Sequence, residues 1–522
     1  MSWGKEVEEL EKRKGFAYRM GGKENVDKQH SQGKMTVRER IDMLLDKESF
    51  LERGILTGVP TYDREDKNKL VDLAPCAFIM GVGRINGRRV AVHGDDFTVK
   101  GASVGRMYKA KRGYFAKMAR SLKLPIVRLV EGSGGSIKEI LEIGYTELPS
   151  GNDEGTQHEV EAMSEVPIVA AGFGPIAGLG ALFMVKSHFS VMVKEKAQVF
   201  VAGPPLVRSA TGEALTKEEL GGYKIHTRVS GVVDNEAEDE RDALRQIRQF
   251  LSYLPSNVWE MPEREGASRD DPKRREEKLL SIIPRDSKKP YDMREVLGLI
   301  LDRDSVFEIG KYQGRSQITA LARMNGYSVG ILANDPRFLG GSFNYDVAEK
   351  YERFIDMCDT FHLPIINFSD QPGFMIGKKS EEHGLIRKGV RASFAMAQAT
   401  VPVAVVYLRK CFGVAGAAQK TALRLSWQYA WPSAEWGNIP IEGGAYAAHR
   451  AEIESSRKPE VYLSELQERY RAISSPFRTA EAFGIEDIID PRDTRPLLCE
   501  WVENAYYVEK DNLGPKKRGM RC

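Results

Sequence analysis

A chain of 522 residues exceeds what one hydrophobic core organises, so two or more domains are expected. With 77 basic against 74 acidic side chains the formal charge is only +3, which excludes a global field directed at nucleic acid or an anionic membrane and leaves phosphate binding to local groups. Five cysteines, scattered and without C-x-x-C spacing, exclude a zinc knuckle or a redox pair and read as free thiols in a reducing, cytoplasmic setting.

The first forty residues begin MSWGKEVEELEKRKG, mix acids with bases and have no apolar centre; they read as charged helix and loop rather than signal or transit peptide. Beyond them the chain repeats itself. Gly83-Arg84-Ile85-Asn86-Gly87 and the VAVHGDDFTVKGAS after it match Ala322-Arg323-Met324-Asn325-Gly326 and VGILANDPRFLGGS, 239 residues on. LKLPIVRLVEGSGG matches FHLPIINFSDQPGF at the same spacing, and EVPIVAAGFGPIAGLGAL matches TVPVAVVYLRKCFGVAGAA at 235.

Each copy, about 200 residues long, runs in one order. An apolar strand (VAVHG, VGILA) leads to a glycine-rich loop and a helix, near 104–121 and 346–361. A buried strand (IVRLV, IINFS), a glycine turn and a helix follow, then a third strand, turn and helix. Alternating strand and helix predicts an α/β fold of parallel βαβ units, with ligands held where strands end and glycine turns begin. Val166 to Val185 is uncharged and long enough to cross a bilayer, but Pro167, Pro175, Gly172, Gly174, Gly178 and Gly180 make it a buried strand, turn and helix. The charged run Pro262 to Lys289 reads as a linker, dividing the chain into lobes 1–264 and 265–522, and GPKKRGMRC as an exposed end.

The glycine turns are the strongest chemical signal. In Glu131-Gly132-Ser133-Gly134-Gly135-Ser136 successive N–H groups can converge with no side chain in the way, forming an oxyanion hole or anion cradle. Phe412-Gly413-Val414-Ala415-Gly416-Ala417 has the same small-residue character and is expected to be its partner, so that two developing negative charges are held. The spacing of Gly172, Gly174 and Gly178 misses the dinucleotide fingerprint, and Gly377-Lys378-Lys379-Ser380 lacks the upstream glycine of a P-loop. No metal-ligand spacing, paired carboxylates or nucleophile elbow is present; His93, His188 and His226 lie near the loops but read as hydrogen-bonded structural residues.

Nearly the whole chain resembles the carboxyltransferase β subunits of propionyl-CoA, methylcrotonyl-CoA and related acyl-CoA carboxylases. The likeness rests on Gly33-Lys34-Met35-Thr36-Val37-Arg38-Glu39-Arg40-Ile41, on Asp96-Phe97-Thr98 with Gly101-Ala102-Ser103, and on Thr211-Gly212-Glu213 with Ser230-Gly231. In the second copy it rests on Asp370-Gln371-Pro372-Gly373-Phe374, Arg409-Lys410 and Ala430-Trp431-Pro432. It implies two tandem crotonase-like lobes, the first for acyl-CoA and the second for biotin, and a mechanism in which biotin itself takes the α-proton while backbone amides hold both oxyanions. Gly134 and Gly135 would then serve the thioester, and Val414 and Ala415 biotin, with Phe374, Gly413 and Gly416 on the biotin side. Lys34, Arg38 and Arg40 would clamp CoA phosphates, with Phe97, Gly101, Ala102, Ser103 and Ala417 lining the acyl-CoA site. Carboxybiotin would arrive on another subunit, because A-M-K-M and an ATP-binding half are absent from the sequence; partners would be biotin carboxylase and a biotin carboxyl carrier, with a homodimer as the least unit, a hexamer as the usual one and no bound metal. The turns depart from the family's D-S-G-G-A and G-G-A-Y, and Ala417 stands near an acid that governs acyl size in propionyl-CoA enzymes. A decarboxylase or transcarboxylase subunit is the alternative, ahead of a non-catalytic scaffold or a lone hydratase.

Overall fold

The computed structural model describes residues 2–520 except 136–140, 142, 143, 147, 149–153, 267–269, 422 and 425. Ser136, the start of the helix expected after the first glycine turn, part of the linker and the last two residues of the tail lie outside the described residues. The chain forms two compact units, Met1–Glu260 and Met261–Arg521.

In the first unit a sheet runs β1 (Leu51–Arg53), β4 (Phe78–Ile85), β5 (Arg88–Asp95), β6 (Ile126–Gly132), β7 (Ile168–Ala177), β8 (Phe189–Val193) and β10 (Asn235–Ala237), with β9 (Gln198–Phe200) paired to the end of β7. β2 (Gly58–Tyr62) and β3 (Leu70–Pro75) form a separate hairpin. From β5 onward the pairs are parallel, whereas β1, β4 and β5 are antiparallel. Every residue of β6 is buried, as expected of a strand covered on both faces.

The second unit repeats the plan: β11 (Phe307–Ile309), β12 (Gln317–Met324), β13 (Tyr327–Asn334), β14 (Ile365–Gln371), β15 (Val403–Phe412), β16 (Ser426–Ala430) and β18 (Asp487–Ile488), with β17 (Glu435–Gly437) on β15. The matched Asn-Gly pairs make the tight turns of the β4–β5 and β12–β13 hairpins, with φ of 51° and 81° at Asn86 and Gly87 and 51° and 79° at Asn325 and Gly326. That left-handed pair is what a two-residue hairpin requires.

The expected helices are Arg106–Ser121 and Tyr345–Thr360, each between the first and second parallel strands of its unit. The first buries Tyr108, Phe115, Ala116 and Ala119 along one face, packed with Phe78 and His93; each large side chain so buried contributes about 1.5–3 kcal/mol. Val166 to Val185 resolves into β7, a turn at Gly178 and the helix Leu179–Val185. Among the described residues no helix is long and apolar enough to cross a membrane.

A segment outside the duplication matters for the site. Thr36 accepts from the Glu39 N–H, and the Glu39 carboxylate accepts from the Thr36 N–H; this capping box starts the helix Val37–Leu44 and points Arg40 into the first unit.

Candidate active site

In each unit three backbone loops meet at the C-terminal ends of the central strands. The first follows β5. Lys100, Gly101 and Ala102 take left-handed conformations, with φ of 49°, 64° and 51°, and Leu339, Gly340 and Gly341 repeat this with 50°, 62° and 85°. Consecutive left-handed residues that carry a Cβ cost about 1–2 kcal/mol each, so the surrounding contacts must hold them. The Ser133 N–H and Oγ both donate to the Gly101 carbonyl, at 3.0 and 2.9 Å.

The second loop is the turn after β6, where Gly134 has φ of 82°, matched by Gly373 after β14 at 119°. The Val104 N–H donates to the Gly134 carbonyl and the Phe343 N–H to the Gly373 carbonyl, both at 3.0 Å, and each closes a lone parallel bridge, Val104 to Gly135 and Phe343 to Phe374. A Cβ on Gly135 would meet nothing within 4 Å, so open space lies beside this residue's Cα.

The third loop follows β7 and β15, where Gly178 at φ 58° and Gly413 at 64° reverse the chain into the short helices Leu179–Val185 and Gly413–Ala417. Amides opening a helix have no acceptor within it, which leaves the N–H groups of Leu179 and Gly180, and of Val414 and Ala415, for a ligand. Second and third loops abut: a Cβ on Gly134 would lie 3.1 Å from the Ala177 carbonyl, and one on Gly373 3.7 Å from that of Phe412.

This corrects the expected pairing of turns. The equivalent of the Gly134 turn is the Gly373–Phe374 turn, and the equivalent of Gly413 is Gly178. In each unit the two turns therefore lie side by side. Small size alone does not single out Gly178, Leu179 and Gly180 in the sequence, although the 235-residue spacing that relates Pro167 to Pro402 relates Gly178 to Gly413 as well.

A second correction concerns the cations. Lys34 and Arg40 are 7% and 1% exposed and bind Glu131 at 2.6 and 2.7 Å, Arg40 also binding Glu240 at 2.8 Å. Arg38 pairs with Glu52 at 2.8 Å and lies over the Tyr18 ring. A phosphate clamp needs a cation that water can reach, and Lys34 and Arg40 are spent inside the protein. Burial raises the affinity of Glu131 for its proton, but the Arg40 and Lys34 charges outweigh it and hold the carboxyl below its ordinary range.

Of the other expected residues, Phe97 lies under the Lys34 ammonium at 4.9 Å, Ala102 is buried and Ser103 half-buried. Phe374 packs edge-on to Phe343, in a cleft shared with Tyr351 and Ala415. Val414 and Ala417 are exposed, Gly413 is half-buried and Ala415 and Gly416 are buried. The three histidines serve the scaffold. His188 accepts from the Ile168 N–H at 2.9 Å, His226 contacts the Val199 carbonyl at 2.6 Å, and His93 stacks on Phe78 with its basicity suppressed by burial and by Arg128 and Arg112. Asp95 is buried beside Tyr108, and loss of solvation pushes its carboxyl up to about 7. Among the described residues no group of three or more His, Cys, Asp or Glu is placed to hold a metal.

Two units with duplicated, parallel-dominated sheets and matched glycine turns at the strand ends define a crotonase-like fold. The carboxyl transferase domain family matches residues 28–520, and the chain belongs to it. It is 36% identical over 496 residues to the carboxyltransferase subunit of propionyl-CoA carboxylase from Haloferax mediterranei, covering 94% of each chain. It is 34% identical over 507 residues to the alpha subunit of methylmalonyl-CoA decarboxylase from Veillonella parvula, covering 96% of this chain and 95% of that one. The transcarboxylase 12S crystal structure, a hexamer with methylmalonyl-coenzyme A and methylmalonic acid bound, superposes with a TM-score of 0.88 at 33% identity, covering 100% of this chain and 99% of that one. The chain is thus a carboxyltransferase of the kind found in acyl-CoA carboxylases.

Proposed function

We propose that this chain moves a carboxyl group between carboxybiotin, borne by another subunit, and the α-carbon of an acyl-CoA. The observation that carries the reading is the backbone hole repeated in both units, because the reaction develops two oxyanions and a lone hydratase develops one. The Gly134 and Gly135 amides, with those of Leu179 and Gly180, would receive the thioester oxygen as it takes enolate charge. Val414 and Ala415 would receive the biotin ureido oxygen. Biotin supplies the carboxyl group and the base, which accounts for His93, His188 and His226 serving the scaffold. The protein's contribution is position and preorganised dipoles. CoA phosphates then fall to cations other than Lys34 and Arg40.

Biotin carboxylase and a biotin carrier subunit are the partners this chemistry needs, and a homodimer, assembled further into a hexamer as in the transcarboxylase 12S structure, is the expected form. Free thiols at Cys76, Cys358, Cys411 and Cys499 support a cytoplasmic setting. Purified protein with free biotin as acceptor and a panel of carboxylated acyl-CoAs tests the reading, with the thioester product followed by mass. Biotin-stimulated loss of carbon dioxide from at least one of them is expected, and no turnover despite retained CoA binding would overturn it. The resemblance to the Veillonella parvula subunit favours decarboxylation as the second direction; a sodium requirement without ATP dependence in the assembled complex would select it.

A further inference from the structure

We propose that Glu131 and Asp370 are positioning residues, each clamping a β-bulge that fixes the two turns of its unit against one another. The inference rests on the reading of those turns as oxyanion holes.

The pairing registers locate the bulges. Strand β6 pairs with β7 from Ile126 opposite Ile168 to Val130 opposite Gly172, but Gly132 then faces Ile176, so β7 carries two extra residues across from Glu131. The same slip occurs in the second unit: Ser369 faces Tyr407 and Gln371 faces Cys411, placing the extra residues of β15 across from Asp370. Beyond the bulge each strand runs directly into its second turn, at Gly178 or Gly413, while Glu131 and Asp370 lead into the first, at Gly134 or Gly373. The bulge therefore sets how the two amide-bearing turns meet.

Both carboxylates are fully buried against their bulges, Asp370 by hydrogen bonds to it and Glu131 by filling the space beside it. Asp370 accepts from the Lys410 N–H at 3.0 Å and from the Arg409 guanidinium at 2.9 Å, and both donors are bulge residues. In the first unit glycine, Gly174, stands where the second has Arg409. A Cβ there would lie 2.2 Å from Glu131 Oε1, so the carboxylate fills the space beside the bulge. Its cations come instead from Lys34 and Arg40, and the Arg40 guanidinium covers the bulge residue Phe173 at 4.4 Å. From behind, the Glu131 N–H donates to Asp95 at 3.3 Å and the Asp370 N–H to Asn334 at 3.0 Å. Two copies have thus kept a buried, cation-paired carboxylate at one point of the fold while changing the source of the cation. Apolar residues would serve plain stability as well as a buried ion pair does, so retention of the pair in both copies fits a demand on geometry.

The test compares Glu131→Gln and Asp370→Asn with the parent protein, in the decarboxylation assay and by hydrogen exchange at the turn amides. Exchange should quicken at least fivefold at Gly134 and Gly135 in E131Q and at Val414 and Ala415 in D370N, each variant leaving the other unit's turn unchanged. In the assay, kcat should fall roughly 10- to 100-fold in each variant, with the KM for acyl-CoA rising only in E131Q and that for biotin only in D370N. Lys34→Met, which leaves Arg40 in place, should show a weaker form of the E131Q pattern and serves if E131Q fails to fold. Parent-like exchange at the turns, or equal effects of both variants on both ligands, would overturn the proposal. A parent protein inactive on every carboxylated acyl-CoA would sink the functional reading instead, and the exchange pattern would still decide the positioning role.

Discussion

The two units solve one mechanical problem with different parts. In the second, the cation that neutralises the bulge carboxylate is Arg409, a neighbour on the sheet itself. In the first, it is borrowed from Lys34 and Arg40, in a segment outside the duplication that a capping box and a helix deliver to the core. The amide acceptor behind the bulge differs too, being the titratable Asp95 in one unit and the neutral Asn334 in the other. A duplicated fold has therefore kept its backbone geometry while letting the side chains that enforce it drift. The bulge of the first unit depends on the chain's leading residues, and on the titratable Asp95 behind it, in a way the bulge of the second does not.

The sharpest way to break that comparison is Arg40→Met. It strands the buried Glu131 and Glu240 without a full set of partners and should cost about 3–5 kcal/mol, seen as early melting of the first unit in calorimetry while the second keeps its transition. Next in size is Gly134→Val. A side chain at φ 82°, with its Cβ 3.1 Å from the Ala177 carbonyl, must move the turn, and turnover should fall by about 10²–10³ with the melting temperature little changed. Ala417→Asp, on the exposed end of the second unit's short helix, should shift relative kcat/KM between short and longer acyl-CoAs by about tenfold in a competition assay.

The smallest effect probes proton balance. Burial raises the Asp95 carboxyl to about 7, the Tyr108 hydroxyl, the Glu131 amide and the Arg40 charge working against that rise and the Glu131 charge adding to it. The folded state then holds a proton that the unfolded state releases near pH 4, so stability declines as pH rises from about 4 to 7 and levels off above. Asp95→Asn should remove that decline and raise the melting temperature at pH 8, whereas Asn334→Asp should install the same decline in the second unit.

Most of the architecture was legible because its signals are local or repeated. The constant 239-residue spacing marked the duplication, and glycine with proline turned an apparent membrane span into β7 and its turn, whereas the hairpins at the paired Asn-Gly dipeptides were not anticipated. The site was half legible. Gly134, Gly135 and Ala415 stand out in small-residue turns, but which turn matches which is a question of register, and likeness of composition paired two that the fold does not. Lys34 and Arg40 misled for a related reason: a Lys-x-x-x-Arg-x-Arg run looks solvent-facing until a carboxylate nearly a hundred residues away in sequence is folded onto it.

Anion holes made of peptide N–H groups have a genetic consequence. An alanine scan of the polar residues would reach the proposed holes only indirectly, through the buried Glu131 and Asp370, since peptide N–H groups and not side chains are proposed to meet the oxyanions. Saturation mutagenesis would instead register them as a few glycines, Gly134, Gly178, Gly373 and Gly413 among them, that accept almost nothing else. A diverged copy of this enzyme that has lost activity should betray itself first by a Cβ at one of those positions, long before any familiar catalytic letter changes.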